Sequence, residues 1–150
     1  MLSTLHAQFL NFVVSEIVLQ LNRIEGKGKG TSAEFAKKLH PRGSMTIKFG
    51  DQKYGRHDPD GGFGHLQAAY PGVVIEVVSC PQKRKFLGHL VHEYILGSKG
   101  KIRVVVGFDI EEGTLSVWRS DIITNEAGQK EVVAQQTVIN QVARIILCHK

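Results

Sequence analysis

Val73-Val74-Ile75-Glu76-Val77-Val78, then Pro81 and the stretch Lys83 to Leu96, then Ile102 to Phe108, read as a strand, a crossover helix and a second strand. Pro81 suits the first helical position, apolar residues recur at 86, 87, 90, 91, 94 and 95, and Gly97 ends the helix. Ile102 to Phe108 is nearly continuous Val and Ile, which suits a strand buried on both faces beside the Glu76 strand and parallel to it. Glu76 is the anomaly in this unit. A carboxylate inside a β-branched run loses most of its solvation unless something pairs with it, and a metal ion is the companion that the pattern favours.

Upstream, Ser3 can cap a helix in which Phe9, Leu10, Val13, Ile17, Leu21 and Ile24 recur at helical spacing, and Gly26-Lys27-Gly28-Lys29-Gly30 ends it. Thr31 with Glu34 forms a capping-box pattern for a short second helix through Leu39, stopped by Pro41-Arg42-Gly43. Met45 to Phe49 alternates as a strand should. A polar loop from Gly50 to Gly62 then leads to a strand around Phe63 to Gln67, and Pro71-Gly72 turns the chain into the Glu76 run. Downstream, Thr114 to Trp118 alternates and pairs as a hairpin through Glu111-Glu112-Gly113. Glu131 to Cys148 leans towards strand by its β-branched content. No closing element is evident after Trp118, which leaves open that the chain is part of a larger protein. The expected architecture is α/β, a mixed central β-sheet flanked by α-helices, with residues 1–150 as a single domain.

At 150 residues and 42% hydrophobic, the chain can bury one substantial core. The longest apolar run is too short to span a bilayer, and the segment Met1 to Leu21 lacks a basic start and contains Glu16, so the expectation is a soluble intracellular protein, cytoplasmic or nuclear. Cys80 and Cys148 match neither a zinc spacing nor a disulfide framework and read as reduced thiols. The formal net charge of +5 favours an anionic partner such as nucleic acid, although the positive charges are spread over several segments.

Asp60 and Glu76 fall on neighbouring strands in this scheme, where two carboxylates can offer oxygen ligands to a hard cation such as Mg²⁺. A phosphoryl-transfer site also needs an ammonium to stabilise phosphoryl charge or orient a water, and Val78, which shares the Glu76 face of the strand, offers none. At 100° per residue, Lys83 lies in the apolar stripe of the following helix with Phe86, Leu87, Leu90, Val91 and Tyr94. Lys85, His89 and His92 face away, and Arg84 sits at the margin. Lys83 is therefore preferred over Lys85 as the missing lysine, against the alternative of a lysine simply solvated at the end of the sheet. His57 and His65 flank Asp60 and read either as solvated or as ligands and proton carriers. Gly26 to Gly30, with its two lysines, reads as a connector or as a phosphate-tracking loop. Trp118 reads as core or sheet surface, not as a stacking platform. No P-loop signature and no Ser-His-Asp or cysteine nucleophile arrangement is present.

These residues carry a resemblance. Pro59-Asp60, Tyr70-Pro71-Gly72-Val73-Val74-Ile75-Glu76-Val77, Gln82-Lys83-Arg84-Lys85, Tyr94-Ile95-Leu96-Gly97-Ser98, Ile102-Arg103-Val104-Val105-Val106-Gly107 and Thr114-Leu115-Ser116-Val117-Trp118-Arg119 resemble fungal proteins of the PD-(D/E)XK nuclease-like superfamily, from about Ser32 to Arg119. The chain is similar, more distantly, to the bacterial Uma2 family of proposed endonucleases, a pattern that Ser79 and Tyr94 fit. The resemblance implies a restriction-endonuclease-like core and Mg²⁺- or Mn²⁺-dependent hydrolysis of phosphodiester bonds in DNA. It also implies Asp60, Glu76 and the Val77 carbonyl as metal ligands, with Glu16 of the first helix as a further one. Two departures stand out: Leu90 lies where the bacterial relatives carry their lysine, and Phe86 where the fungal ones usually have an acidic residue. The competing expectation is a catalytically silent module that keeps the fold and the basic surface to bind nucleic acid or protein; a homodimer is open under either.

Overall fold

The computed structural model describes residues 3–43 and 45–142. Helix α1 (Thr4–Gly26) begins where the Ser3 side chain accepts the His6 backbone N–H, and it runs into the glycine-rich connector. Helix α2 (Thr31–Lys38) does not form the expected capping box. Gly30 is its N-cap residue and Thr31 already lies inside the helix, so the hydroxyl makes no cap bond. Leu39–Pro41 is not merely a stop: it is strand β1, at one edge of the main sheet. Ile47–Lys48 (β2) pairs with Arg56–His57 (β3) as a separate two-stranded ribbon, with a short 3₁₀ turn at Gln52–Tyr54 between them.

The remaining elements are β4 (Gly61–His65), β5 (Val73–Val78), α3 (Pro81–Gly97), β6 (Val104–Asp109), β7 (Thr114–Thr124) and β8 (Lys130–Val142). They build a six-stranded sheet in the order β1-β4-β5-β6-β7-β8. The β5–β6 pair is parallel and bridged by α3, as the β-branched runs require, and every other neighbouring pair is antiparallel. The described residues are thus mixed α/β, with three α-helices, one six-stranded mixed sheet and the two-stranded ribbon.

Strand alternation divides the core in two. On one face Val74 and Val105 pack with Ile102 and with Val91, Tyr94 and Ile95 of α3, joined by Ile47 and Phe49. On the other, Phe63 and Ile75 pack with Val13 of α1, flanked by Phe9, Leu10 and Ile17. Helices therefore cover opposite faces of the central strands. Glu76, in step with Val74, belongs to the α3 side, where only 2% of it is exposed. Phe86 corrects the helical-wheel assignment: it is 65% exposed, while Leu87, Leu90, Val91, Tyr94 and Ile95 make the packed stripe. At about 100° per residue, Phe86 lies roughly 110° around the helix from the centre of that stripe, on the flank of α3.

The chain continues in strand after Trp118. The β6–β7 pairing ends at Val104–Arg119, with the Ser120 N–H donating to the Arg103 carbonyl, and residues 121–124 run on with β8 in a long antiparallel ribbon. A register shift near Leu115–Trp118 coincides with a positive φ at Asn140, whose Oδ1 accepts from the Ser116 hydroxyl while its N–H donates to the same oxygen. The strand expected from Glu131 is found as β8, Lys130–Val142; the remainder of that stretch, with Cys148, lies outside the described residues. No helix among the described residues is long and apolar enough to cross a membrane.

Candidate functional site

The Gly61–Ile75 pairing carries Asp60, one step before β4, directly opposite Glu76. The Val77 backbone N–H donates to Asp60 Oδ2 at 2.7 Å, which clamps the carboxylate to the β5 edge beyond the last β4 pair. N–H and C=O of one residue leave a strand on the same edge, so the Val77 carbonyl is directed to the Asp60 side as well. From the first turn of α3, Lys83 Nζ lies 2.6 Å from Asp60 Oδ2 and 2.7 Å from Glu76 Oε2. Deeper in the same helix, the Tyr94 hydroxyl donates to Glu76 Oε1 at 2.6 Å.

Lys83 thus bridges the two carboxylates and is not a solvated end-of-sheet lysine. Lys85 is exposed. Glu16 does not join it either. It is exposed and accepts a hydrogen bond from Gln20, one turn further along α1. The α1 residue that reaches Asp60 is His6, which is 4% exposed with Nε2 at 3.1 Å from Asp60 Oδ1. Distance alone makes this an ion pair, but the ring is not oriented to donate along that line, and Nε2 is left without a hydrogen-bond partner. Glu16 lies ten residues beyond His6, about 15 Å along the helix axis, too far for its side chain to substitute.

Electrostatics separates the two acids. Burial pushes Glu76 up, the Lys83 ammonium and the Tyr94 hydroxyl pull it down, and burial wins, leaving it at about 7. Burial also acts to raise Asp60, but the Lys83 and Val77 hydrogen bonds overcome it and hold the carboxyl below its ordinary value. Burial works against the Lys83 charge, yet the facing Glu76 and Asp60 raise it above the ordinary lysine value. The Tyr94 phenol is pushed up by burial and by Glu76, so it remains a donor. One acid stays ionised and its neighbour titrates near neutrality, the division that acid–base and metal-binding sites use.

The other candidates fall elsewhere. His57 does not reach Asp60: its ring packs edge-on against Tyr94, with centroids 5.4 Å apart, and its Nε2 meets Glu93 and the Tyr54 carbonyl. His65 is exposed and accepts the Gln67 N–H. Arg84 binds Asp109 and Glu111, tying the start of α3 to the β6–β7 turn. Gly26 to Gly30 is an exposed connector, and Trp118 packs against the α3 core. Cys80 is a free, half-buried thiol at the N-cap of α3.

The donor chemistry fits a divalent cation: two carboxylates, a carbonyl directed to their side and a buried imidazole nitrogen without a partner. No three His, Cys, Asp or Glu side chains among the described residues already surround one point. The Lys83 ammonium lies between the two acids, as a tethered positive charge. An opening of about 220 Å³, lined by Leu10, Asn11, Val14, Pro41 and Asp60, gives solvent a route to Asp60. Comparison with family models, curated proteins and solved structures finds no match for this chain.

Proposed function

We propose that the protein is a metal-dependent nuclease of restriction-endonuclease-like architecture that hydrolyses phosphodiester bonds in DNA. One observation carries the reading: Asp60, Glu76 and Lys83 converge within hydrogen-bond distance at the open end of the β4–β5 pair, although Val78 occupies the usual lysine position. Asp60, Glu76 and the Val77 carbonyl would hold Mg²⁺ or Mn²⁺, which when bound supplies Lewis-acid polarisation of a phosphoryl oxygen. Asp60 stays ionised because Lys83 and the Val77 N–H stabilise its charge. Without a cation Glu76 sits at about 7, whereas a dication at Oε2 would hold it ionised, with Tyr94 fixing Oε1. Lys83 would offer an ammonium on a flexible stem to the phosphoryl oxygens, where negative charge develops. The net charge of +5 suits a polyanionic substrate.

A second reading, a silent module that binds nucleic acid or protein, draws on the same ammonium: Lys83 already satisfies both acids, so the cluster is self-sufficient as a structural ion triad. Isothermal titration with Mg²⁺ and Mn²⁺ beside a plasmid-nicking assay separates them. The nuclease reading expects cation uptake and nicking by the wild type, loss of both in Glu76→Gln, and loss of nicking in Lys83→Met. Cation uptake independent of Glu76, or no nicking with either ion, overturns it.

A further inference from the structure

We propose that His6 is a nitrogen ligand of the cation at Asp60 and that it makes the site select Mn²⁺ over Mg²⁺. The inference rests on the reading of Asp60 and Glu76 as a cation site, and adds a residue and a metal preference that this reading does not contain.

Three observations carry it. His6 is 96% buried by its 4% exposure, yet its Nε2 has no hydrogen-bond partner, although buried polar atoms are normally satisfied. That nitrogen lies 3.1 Å from Asp60 Oδ1, the oxygen that neither Lys83 nor the Val77 N–H uses. The separation is also informative: two ligands each about 2.1–2.2 Å from one ion, at right angles, stand roughly 3.0 Å apart. A nitrogen and a carboxylate oxygen held that closely, with no proton directed between them, are spaced as neighbouring donors to a shared cation.

The sequence places this donor firmly. Ser3 fixes the first turn of α1 by accepting the His6 N–H at 3.2 Å. Leu10 and Val13, four and seven residues on, pack the same helical face against the sheet. His6 is therefore carried to Asp60 by a packed helix, not by a mobile loop. The Lys83 ammonium, on the far oxygen of Asp60, must withdraw from Glu76 or Asp60 for a dication to share both acids, and its flexible stem with 29% side-chain exposure allows that.

Chemical class follows from the donor set. An all-oxygen cage suits Mg²⁺, whereas an imidazole favours the first-row transition ions, among which Mn²⁺ also accepts carboxylate and carbonyl oxygen. Losing a histidine ligand costs Mn²⁺ more than Mg²⁺, which can replace a nitrogen by water.

The test uses Mn²⁺ itself as the probe, on the full chain. Pulsed electron paramagnetic resonance of Mn²⁺ bound to the wild type is expected to show nitrogen coupling that changes when the protein carries ¹⁵N-labelled histidine. His6→Gln is expected to abolish the coupling and to weaken Mn²⁺ binding by titration about tenfold or more, with Mg²⁺ binding changed less. His65→Gln, remote from the site, is expected to change neither. No labelled-histidine coupling in the Mn²⁺-bound wild type, coupling that persists in His6→Gln, or equal loss of both ions overturns the proposal. The labelled wild-type spectrum needs no variant, so misfolding of His6→Gln leaves a decisive readout. Nitrogen coupling without plasmid nicking supports the cation site while removing the nuclease reading.

Discussion

Replacing Glu76 by Gln exposes the energetic cost of the site. Glu76 is 2% exposed and its carboxyl is raised from 4.5 to about 7, so the folded protein holds this proton more tightly than the unfolded chain does. That affinity favours folding below pH 4.5; the contribution declines as pH rises and is gone once pH has passed about 7. At about 1.36 kcal/mol per pH unit, the gap amounts to roughly 3 kcal/mol. Gln keeps the shape and can still accept the Tyr94 hydroxyl, but has no proton to lose. The unfolding free energy of Glu76→Gln minus that of the wild type should therefore rise by roughly 3 kcal/mol between pH 4.5 and just above 7. Asp60, whose lowered carboxyl adds stability that is lost only as pH falls through the acid range, titrates below this window. Urea titrations of both proteins across this range, without divalent ions, measure it; in melting temperature the change corresponds to about 6–12 °C for a domain of this size. Two profiles that stay parallel within about 0.5 kcal/mol would refute the reasoning, because Glu76 would then be charged in the core at no cost.

Tyr94→Phe removes the hydroxyl that stabilises ionised Glu76, so it should lower stability by about 1.5–3 kcal/mol above pH 7 and less in acid, seen as a steeper pH dependence in the same urea titrations. Gly97→Ala places a methyl 2.7 Å from the Phe49 ring carbons, and overpacking of this kind costs about 1–3 kcal/mol, measurable as a lower urea midpoint at unchanged slope. Glu16→Ala and Lys85→Ala alter exposed side chains outside the cluster; each should leave stability within about 0.5 kcal/mol and Mn²⁺ uptake by calorimetry unchanged.

Much of the scaffold was legible because its signals are local. Continuous Val and Ile in Val73–Val78 and Val104–Asp109 mark strands covered on both sides, and the Pro81 to Gly97 pattern marks the helix between them. Lys83 could be placed by counting around that helix, since an inward lysine must meet an anion. Phe86 could not, because packing decides which side of the apolar arc meets the sheet: an arc centred on Lys83 takes Phe86 in, whereas the packed stripe lies towards Leu87, Val91 and Tyr94 and leaves it out. β8 was only half legible: Gln135-Gln136 and Asn140-Gln141 break its alternation, and it is held by pairing with β7. His6 carried a signal that went unused, since it continues the Leu10 and Val13 stripe backwards by one turn, the position where a polar residue needs a partner.

The amino-acid sequence by itself determined the β5–α3–β6 unit, the anomalous charge within it and the pairing of that charge with a lysine from the next helix, because periodicity and desolvation act over a few residues. Only the tertiary structure decided which distant groups complete the cluster. The antiparallel β4–β5 register sets Asp60 opposite Glu76, and the packing of α1 brings His6, not Glu16, to the free oxygen of Asp60. These choices depend on how helices and strands are placed in space, and no local pattern encodes a contact between residue 6 and residue 60.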